Sequence, residues 1–193
     1  MDFERIKHIG KKRGVGDCHC KLLYGLAKES IGTIVEIGSL MGRSTACLAL
    51  GSLAGGKNEI YAIDPWELKT TYDFDNYFNV FWENMVKARV DHIIHPIKDF
   101  SCDFLEKVSK HDQFNLIGNI GLLFVDGGHG HPNVKKDLAW IKFVKKGGIV
   151  AFHDYKSKKI RGVNRAVNEY LKENKGILKE IDICQSLIVF KKL

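Results

Sequence analysis

The stretch Thr33 to Ser44 constrains this chain more than any other. It reads TIVEIGSLMGRS: a short apolar run, an acid, two glycines four apart, then a residue able to start a helix. That pattern predicts a buried strand, a tight turn and a helix, with backbone N–H groups and a helix N-terminus bared toward a small ligand. Ile60 to Asp64, IYAID, reads as another strand ending in an acid. A strand, glycine turn, helix, strand and acid in this order read as a nucleoside-cofactor site.

A dinucleotide site asks for G-x-G-x-x-G, which seats a pyrophosphate on the helix N-terminus. Here only Gly38 and Gly42 mark the turn, and Glu36 precedes them. A carboxylate there repels a pyrophosphate and suits a cation, such as the amino group or sulfonium of S-adenosylmethionine (SAM). Asp64 can accept two hydrogen bonds from a ribose diol. Taken alone, the turn also fits a βα connection that holds no ligand. On Glu36-x-Gly38-x-x-x-Gly42 and the acid closing the second strand, the chain resembles the class I SAM-dependent methyltransferases.

The 193 residues, 45% hydrophobic and 27% charged, suit one α/β domain spanning 1–193, with 1–16 as an N-terminal lid or arm. No apolar run approaches the roughly 20 residues of a membrane span. The start, MDFERIKHIGKKR, lacks a signal-peptide core, so a cytoplasmic location is expected. Five scattered cysteines argue against a disulfide framework. Cys18-His19-Cys20 has no second cysteine pair at zinc-site spacing and reads as a reduced surface or core pair. The net charge of +7 admits nucleic acid or an anionic substrate, but solvated lysine-rich helix faces account for it better. Those lysines include Lys11, Lys12, Lys135, Lys136, Lys145 and Lys146. A homo-oligomer is left open.

Periodicity places helices at Asp17–Ser30, Arg43–Leu53, Asp75–Val90, Ser101–Ser109, Asn133–Val144 and Ile160–Glu173. Strands fall at Thr33–Gly38, Glu59–Asp64, Ile93–Ile97, Ile120–Asp126 and Ile149–Asp154. Residues 65–72 read as a loop, and Gly147-Gly148 as a helix stop. Gly176–Ile183 and Ser186–Lys191 read as a closing antiparallel pair. Five βα units closed by a hairpin match the class I methyltransferase layout. The resemblance implies a Rossmann-like, seven-stranded, mostly parallel sheet with an antiparallel last strand and helices on both faces. Ligands then sit at the carboxyl ends of the strands, where Glu36, Asp64, Asp126 and Asp154 all fall.

Strand four runs into Asp126-Gly127-Gly128-His129, and strand five into His153-Asp154-Tyr155. Neighbouring strands would bring both groups to one pocket. They read either as a polar rim or as a site for a divalent metal (Mg²⁺ or Mn²⁺) with a histidine base. The segment LLFVDGGHGHPNVKKDLAWIKFVKKGGIVAFHDY resembles the small metal-dependent O-methyltransferases related to macrocin O-methyltransferase and to cephalosporin-hydroxylase-like proteins. By position, this resemblance implies metal ligation by Asp126 and Asp154, with His129 as base. His153 stands where a carboxylate is usual. If it ligates, it favours Mn²⁺, Fe²⁺ or Zn²⁺ over Mg²⁺. His131 stands where the pattern usually has Tyr.

The same resemblance implies cofactor contacts from Gly38, Ser39, Gly42, Ser44, Trp66, Asp99, Ser101 and Asp126, besides Glu36 and Asp64. Ser44 could instead cap its helix, Trp66 could be a core or lid aromatic, and Ser101 could be a helix N-cap. Phe74, Tyr77, Phe78, Phe81 and Trp82 read as a packed amphipathic face, with an acceptor pocket as the alternative. The motifs of base-modifying enzymes after strand four are absent, which disfavours nucleic acid as acceptor. The leading expectation is O-methylation of a small hydroxylated acceptor, a sugar or natural product. The alternatives are a methyltransferase on RNA or another anionic macromolecule, and a SAM-fold binding module without chemistry.

Overall fold

The computed structural model describes residues 3–9, 15–67, 76–113, 115–116, 118–157 and 159–193. Phe74, the lysines at 11 and 12, residues 68–72 of the loop expected over 65–72 and the helix start expected at Asp75 lie outside these residues. Among the described residues, no helix is long and apolar enough to cross a membrane.

The strands are β1 (Thr33–Ile37), β2 (Ile60–Ile63), β3 (Ile94–Ile97), β4 (Ile120–Val125), β5 (Val144–Phe152), β6 (Leu178–Cys184) and β7 (Leu187–Lys192). They form one sheet in the order β3-β2-β1-β4-β5-β7-β6. β7 runs antiparallel to both β5 and β6, and the other pairs are parallel. This is the expected seven-stranded class I methyltransferase sheet. All six residues of β4 are buried, as a central parallel strand covered on both faces requires.

The helices are α1 (Asp17–Glu29), α2 (Arg43–Ala54), α3 (Tyr77–Lys87), α4 (Ser101–Lys110), α5 (His131–Asp137) and α6 (Arg161–Glu173). Alternate strand residues point to opposite faces and build two cores. Ile34, Ala62 and Phe124 pack with α1, α2 and α3, while Val35, Val125 and Phe152 pack with α4, α5 and α6. α2 is buried from Arg43 through Ser52, which explains its small residues on every side.

Two expectations need correction. The helix expected over Asn133–Val144 ends at Asp137 and continues as a 3-10 segment, Leu138–Phe143. β5 therefore starts at Val144, and Gly147-Gly148 lies inside it. Gly147 has φ +78°, and the β4–β5 register shifts between Ile120 and Leu122, so the glycines mark an irregularity in the ladder rather than a helix stop. Second, Cys18 is joined to Cys184 in a disulfide, across 166 residues. No sequence spacing reveals this pair, because only the packing of α1 against β6 brings the two together. The described residues of the N-terminal segment pack on the body. Ile6, Ile9 and Val15 are buried, and the buried Arg43 guanidinium donates to the carbonyls of Ile9 (2.9 Å) and Val15 (3.0 Å) and to Asp17 Oδ1 (2.7 Å).

Candidate active site at the carboxyl edge of the sheet

The strand register decides where the polar residues go. Ile63, Ile37, Val125 and Phe152 stand level across β2, β1, β4 and β5. The next residue of each strand is therefore Asp64, Gly38, Asp126 and His153, one row along the sheet edge. Strand order reverses between β1 and β4, the place where ligands bind in open α/β sheets.

Asp64 organises the turn after β1. Its Oδ2 accepts the backbone N–H of Ser39 and of Leu40 (2.9 Å each), and its Oδ1 accepts the N–H of Trp66 (2.7 Å). Leu40 and Trp66 both hold left-handed backbone, with φ +47° and +48°. A carboxylate offers about four acceptor sites, and three are taken. That leaves room for about one ribose hydroxyl rather than the two expected. Gly38 has φ +87°, and a Cβ there would lie 2.3 Å from the Asp126 carbonyl oxygen. Its bare backbone thus lets the turn close against the end of β4. A Cβ on Gly42 would meet Met85 and Phe81, so what this glycine accommodates is α3.

Glu36 is fully buried under the turn. Its Oε2 accepts from Ser39 Oγ (2.9 Å) and from the Thr45 hydroxyl, while Oε1 has no hydrogen-bond partner among the described residues. Burial pushes its pKa up to about 7, against the pull of the Ser44, Thr45 and Ser39 hydroxyls. Ser44 makes no side-chain cap of α2, whose N-cap is Gly42.

Asp126, His153 and Asp154 converge. His153 Nδ1 lies 3.0 Å from Asp126 Oδ1 and 3.5 Å from Asp154 Oδ2, and one ligand atom from each residue lies within 4.8 Å of the others. Burial pulls the His153 imidazole down, but hydrogen bonds and charge from both carboxylates outweigh it and push the pKa up to about 10. The same pairing, chiefly the His153 hydrogen bond, holds Asp154 below the usual carboxylate range. Asp154 sits in left-handed backbone at φ +58°, the kind of strain that collects at functional sites. His129 Nδ1 lies 3.5 Å from Asp154 Oδ2, with its side chain 43% exposed at the rim.

The donor set fits a divalent cation. Ligand atoms about 2.1 Å from a metal and at right angles to it stand about 3 Å apart, and an imidazole beside two carboxylates suits Mn²⁺, Fe²⁺ or Zn²⁺. The orphaned, buried Oε1 of Glu36 likewise fits an ammonium or a hydrogen-bond donor of a ligand.

The polar groups of other expected contact residues have partners within the protein. Trp66 is buried, donates from Nε1 to the Leu40 carbonyl (2.9 Å) and packs against Phe78 and Phe81, so it is a core aromatic. Tyr77 and Phe81 are buried too, in keeping with a packed face. Ser101 is not an N-cap. It opens α4, and its hydroxyl bonds Asp137, whose carboxyl burial pushes up to about 6. Asp99 pairs with Lys107 (2.6 Å) and accepts the N–H of Phe100 (2.9 Å). His131 leaves the cluster for Glu169 on α6, at 2.7 Å.

Sequence reasoning missed His19. From α1 it reaches His153, with Nδ1 3.1 Å from His153 Nε2. One signal was legible: His19, Leu23 and Ala27 share the buried face of α1 at helical spacing, and a buried histidine needs a partner.

The methyltransferase-domain family matches residues 35–155. The fold is similar to an O-methyltransferase from Bacillus cereus in complex with S-adenosylhomocysteine, at TM-score 0.70 and 16% identity over 94% of this chain and 84% of that one. It is similar to the O-methyltransferase TomG from Streptomyces achromogenes, involved in tomaymycin synthesis and in complex with SAM, at TM-score 0.67 and 17% identity over 93% and 82%. It is also similar to a TDP-rhamnose 3'-O-methyltransferase of calicheamicin biosynthesis, at TM-score 0.63 and 19% identity over 89% and 76%. No curated protein matches at the level of sequence. With its glycine turn, the acid after β2 and the polar cluster after β4 and β5 all inside the matched span, this chain belongs to the methyltransferase-domain family.

Proposed function

We propose that the protein is a SAM-dependent O-methyltransferase for a small hydroxylated acceptor such as a sugar or natural product, assisted by a divalent metal and a histidine base. The observation that carries this reading is the convergence of Asp126, His153 and Asp154 one strand from the glycine turn. Bound relatives support the cofactor: the similar Bacillus and Streptomyces structures hold S-adenosylhomocysteine and SAM.

SAM supplies an electrophilic methyl group, and a divalent cation supplies Lewis acidity that lowers the pKa of an acceptor hydroxyl. The chain's own residues do the rest. Glu36 would receive the cationic end of the cofactor through Oε1, and Asp64 has about one acceptor site left for the ribose. Asp126, His153 and Asp154 would hold the cation beside the end of β4. His129 takes the hydroxyl proton at Nε2, while Asp154 orients its ring from the Nδ1 side and steadies the imidazolium that forms. Methyl transfer then depends on alignment and exclusion of water, which rigid strand ends favour.

The test is transfer of isotope-labelled methyl from SAM to a panel of sugars, catechols and phenols, with Mn²⁺ or with a chelator. The reading expects a labelled ether with at least one acceptor, lost with chelator and reduced about 100-fold or more in His129→Ala. Transfer that ignores the chelator contradicts the metal; absence of any transfer or cofactor binding contradicts the whole reading.

A further inference from the structure

The best-buried histidine of the site comes from outside the matched span. His19 lies on α1, only 5% exposed, and its ring meets that of His153 edge to face, with centroids 4.8 Å apart. The polar contact is specific: His19 Nδ1 faces His153 Nε2 at 3.1 Å, while His153 Nδ1 faces Asp126 at 3.0 Å. His19 therefore stands on the far side of the His153 ring from the carboxylates. It is placed as a partner of a ligand rather than as a ligand.

We propose that His19 is a positioning residue for the metal centre: its Nδ1 accepts the Nε2–H of His153 and so presents the His153 Nδ1 lone pair to a cation held with Asp126 and Asp154. This rests on the metal-assisted reading above. A ligating imidazole has two nitrogens, and a hydrogen bond to one fixes which lone pair is offered to the metal and how the ring is turned. Without an acceptor at Nε2, His153 could turn about its side-chain bonds and present either nitrogen. With His19 in place, one orientation holds.

The setting of His19 suits such a role. Accepting at Nδ1 requires the ring proton at Nε2, which is buried and has no hydrogen-bond partner among the described residues. The Cys184 backbone faces this ring and favours its protonated form, although burial, the largest influence, pulls the His19 pKa down. Cys18, the residue before His19, is bonded to that same Cys184. The disulfide thus fixes the start of α1 against the end of β6, where His19 needs to be held. A second anchor is Arg43, whose guanidinium ties Asp17 and the Val15 carbonyl to the start of α2.

The role also explains a choice of residue. A carboxylate at 153 would hold a hard cation without help and would repel its two acidic neighbours. A histidine there needs a fixed tautomer, and His19 supplies the acceptor that fixes it.

The test is a Co²⁺ titration of the purified oxidised protein, followed by calorimetry and by visible absorption, for wild type, His19→Ala, His19→Phe and His19→Asn. Affinity for S-adenosylhomocysteine and the thermal midpoint report folding. Asn can place its oxygen near the position of Nδ1, whereas Ala and Phe offer no acceptor and Phe keeps the ring volume. The expected result is a Co²⁺ affinity about 10- to 100-fold weaker in Ala and Phe, with an altered absorption band, and near wild type in Asn. Should Ala fail to fold, Phe against Asn decides. Equal affinity and an unchanged band in Phe and Asn overturn the role of His19 alone. A wild type that binds S-adenosylhomocysteine but no Co²⁺ overturns the metal reading, and the role of His19 falls with it.

Discussion

Asp64, at the end of β2, accepts the backbone N–H of Leu40, in the turn after β1, at 2.9 Å. This bond and its two neighbours hold two left-handed residues in place, so the carboxylate acts as a clamp on the turn. Replacing Asp64 with Ala leaves three N–H groups short of their acceptor and releases strained backbone. The expected cost is about 3 kcal/mol, a fall of roughly 5–10 °C in thermal midpoint, together with weaker binding of S-adenosylhomocysteine. Calorimetric unfolding and titration of Asp64→Ala check both; an unchanged midpoint contradicts the clamp.

Glu36 should make stability depend on pH. Its folded pKa of about 7 lies above the ordinary 4.5, so the folded protein binds more protons than the unfolded chain in between. Stability therefore falls as pH rises through that window, by roughly 3 kcal/mol in all, and levels off above it. Glu36→Gln removes the titrating group. Denaturant unfolding from pH 4.5 to 8 should show the wild type losing stability relative to Glu36→Gln as pH rises. A difference that stays constant across that range contradicts the buried carboxyl's part in it.

Arg43 fixes the N-terminal arm from the first residue of α2. Its guanidinium is the donor for the carbonyls of residues 9 and 15, so Arg43→Ala should free residues 3–9 and cost about 3 kcal/mol. Hydrogen exchange should rise selectively in that segment. Protection equal to wild type there would show that the apolar contacts of Ile6 and Ile9 suffice.

The disulfide is directly countable. With Cys18 bonded to Cys184, thiol titration of the denatured, unreduced protein should find three free cysteines, Cys20, Cys47 and Cys102. Reduction breaks a link spanning most of the chain, and the expected destabilisation reaches up to about 5 kcal/mol. Five free thiols in protein purified without reductant would contradict the bridge.

The sheet was readable because its signals are local. Apolar runs such as IGLLFV, each ending in an acid or a glycine, mark buried parallel strands and their functional ends at once. The Asn133–Val144 region misled because LAWIKFV is apolar enough for either a helix or a strand start, and the ladder pairing of β5 with β4 settles it. The site residues after β4 and β5 were legible because neighbouring strands and level register bring Asp126, His153 and Asp154 together. The contact of His19 with His153 was not, since 134 residues separate the two and only the packing of α1 joins them. Trp66 and Ser101 show the reverse case. For each, the resemblance implied a cofactor contact; here core packing and a buried Asp137 account for their polar groups.

The most direct test of the central claim is calorimetric titration with S-adenosylhomocysteine, with and without Mn²⁺, on wild type and Asp126→Ala. The account predicts micromolar cofactor binding in wild type and a separate Mn²⁺ heat that disappears in Asp126→Ala. Cofactor binding with no Mn²⁺ response in wild type would contradict a metal centre at Asp126, His153 and Asp154, and no cofactor binding would contradict the methyl-transfer reading itself.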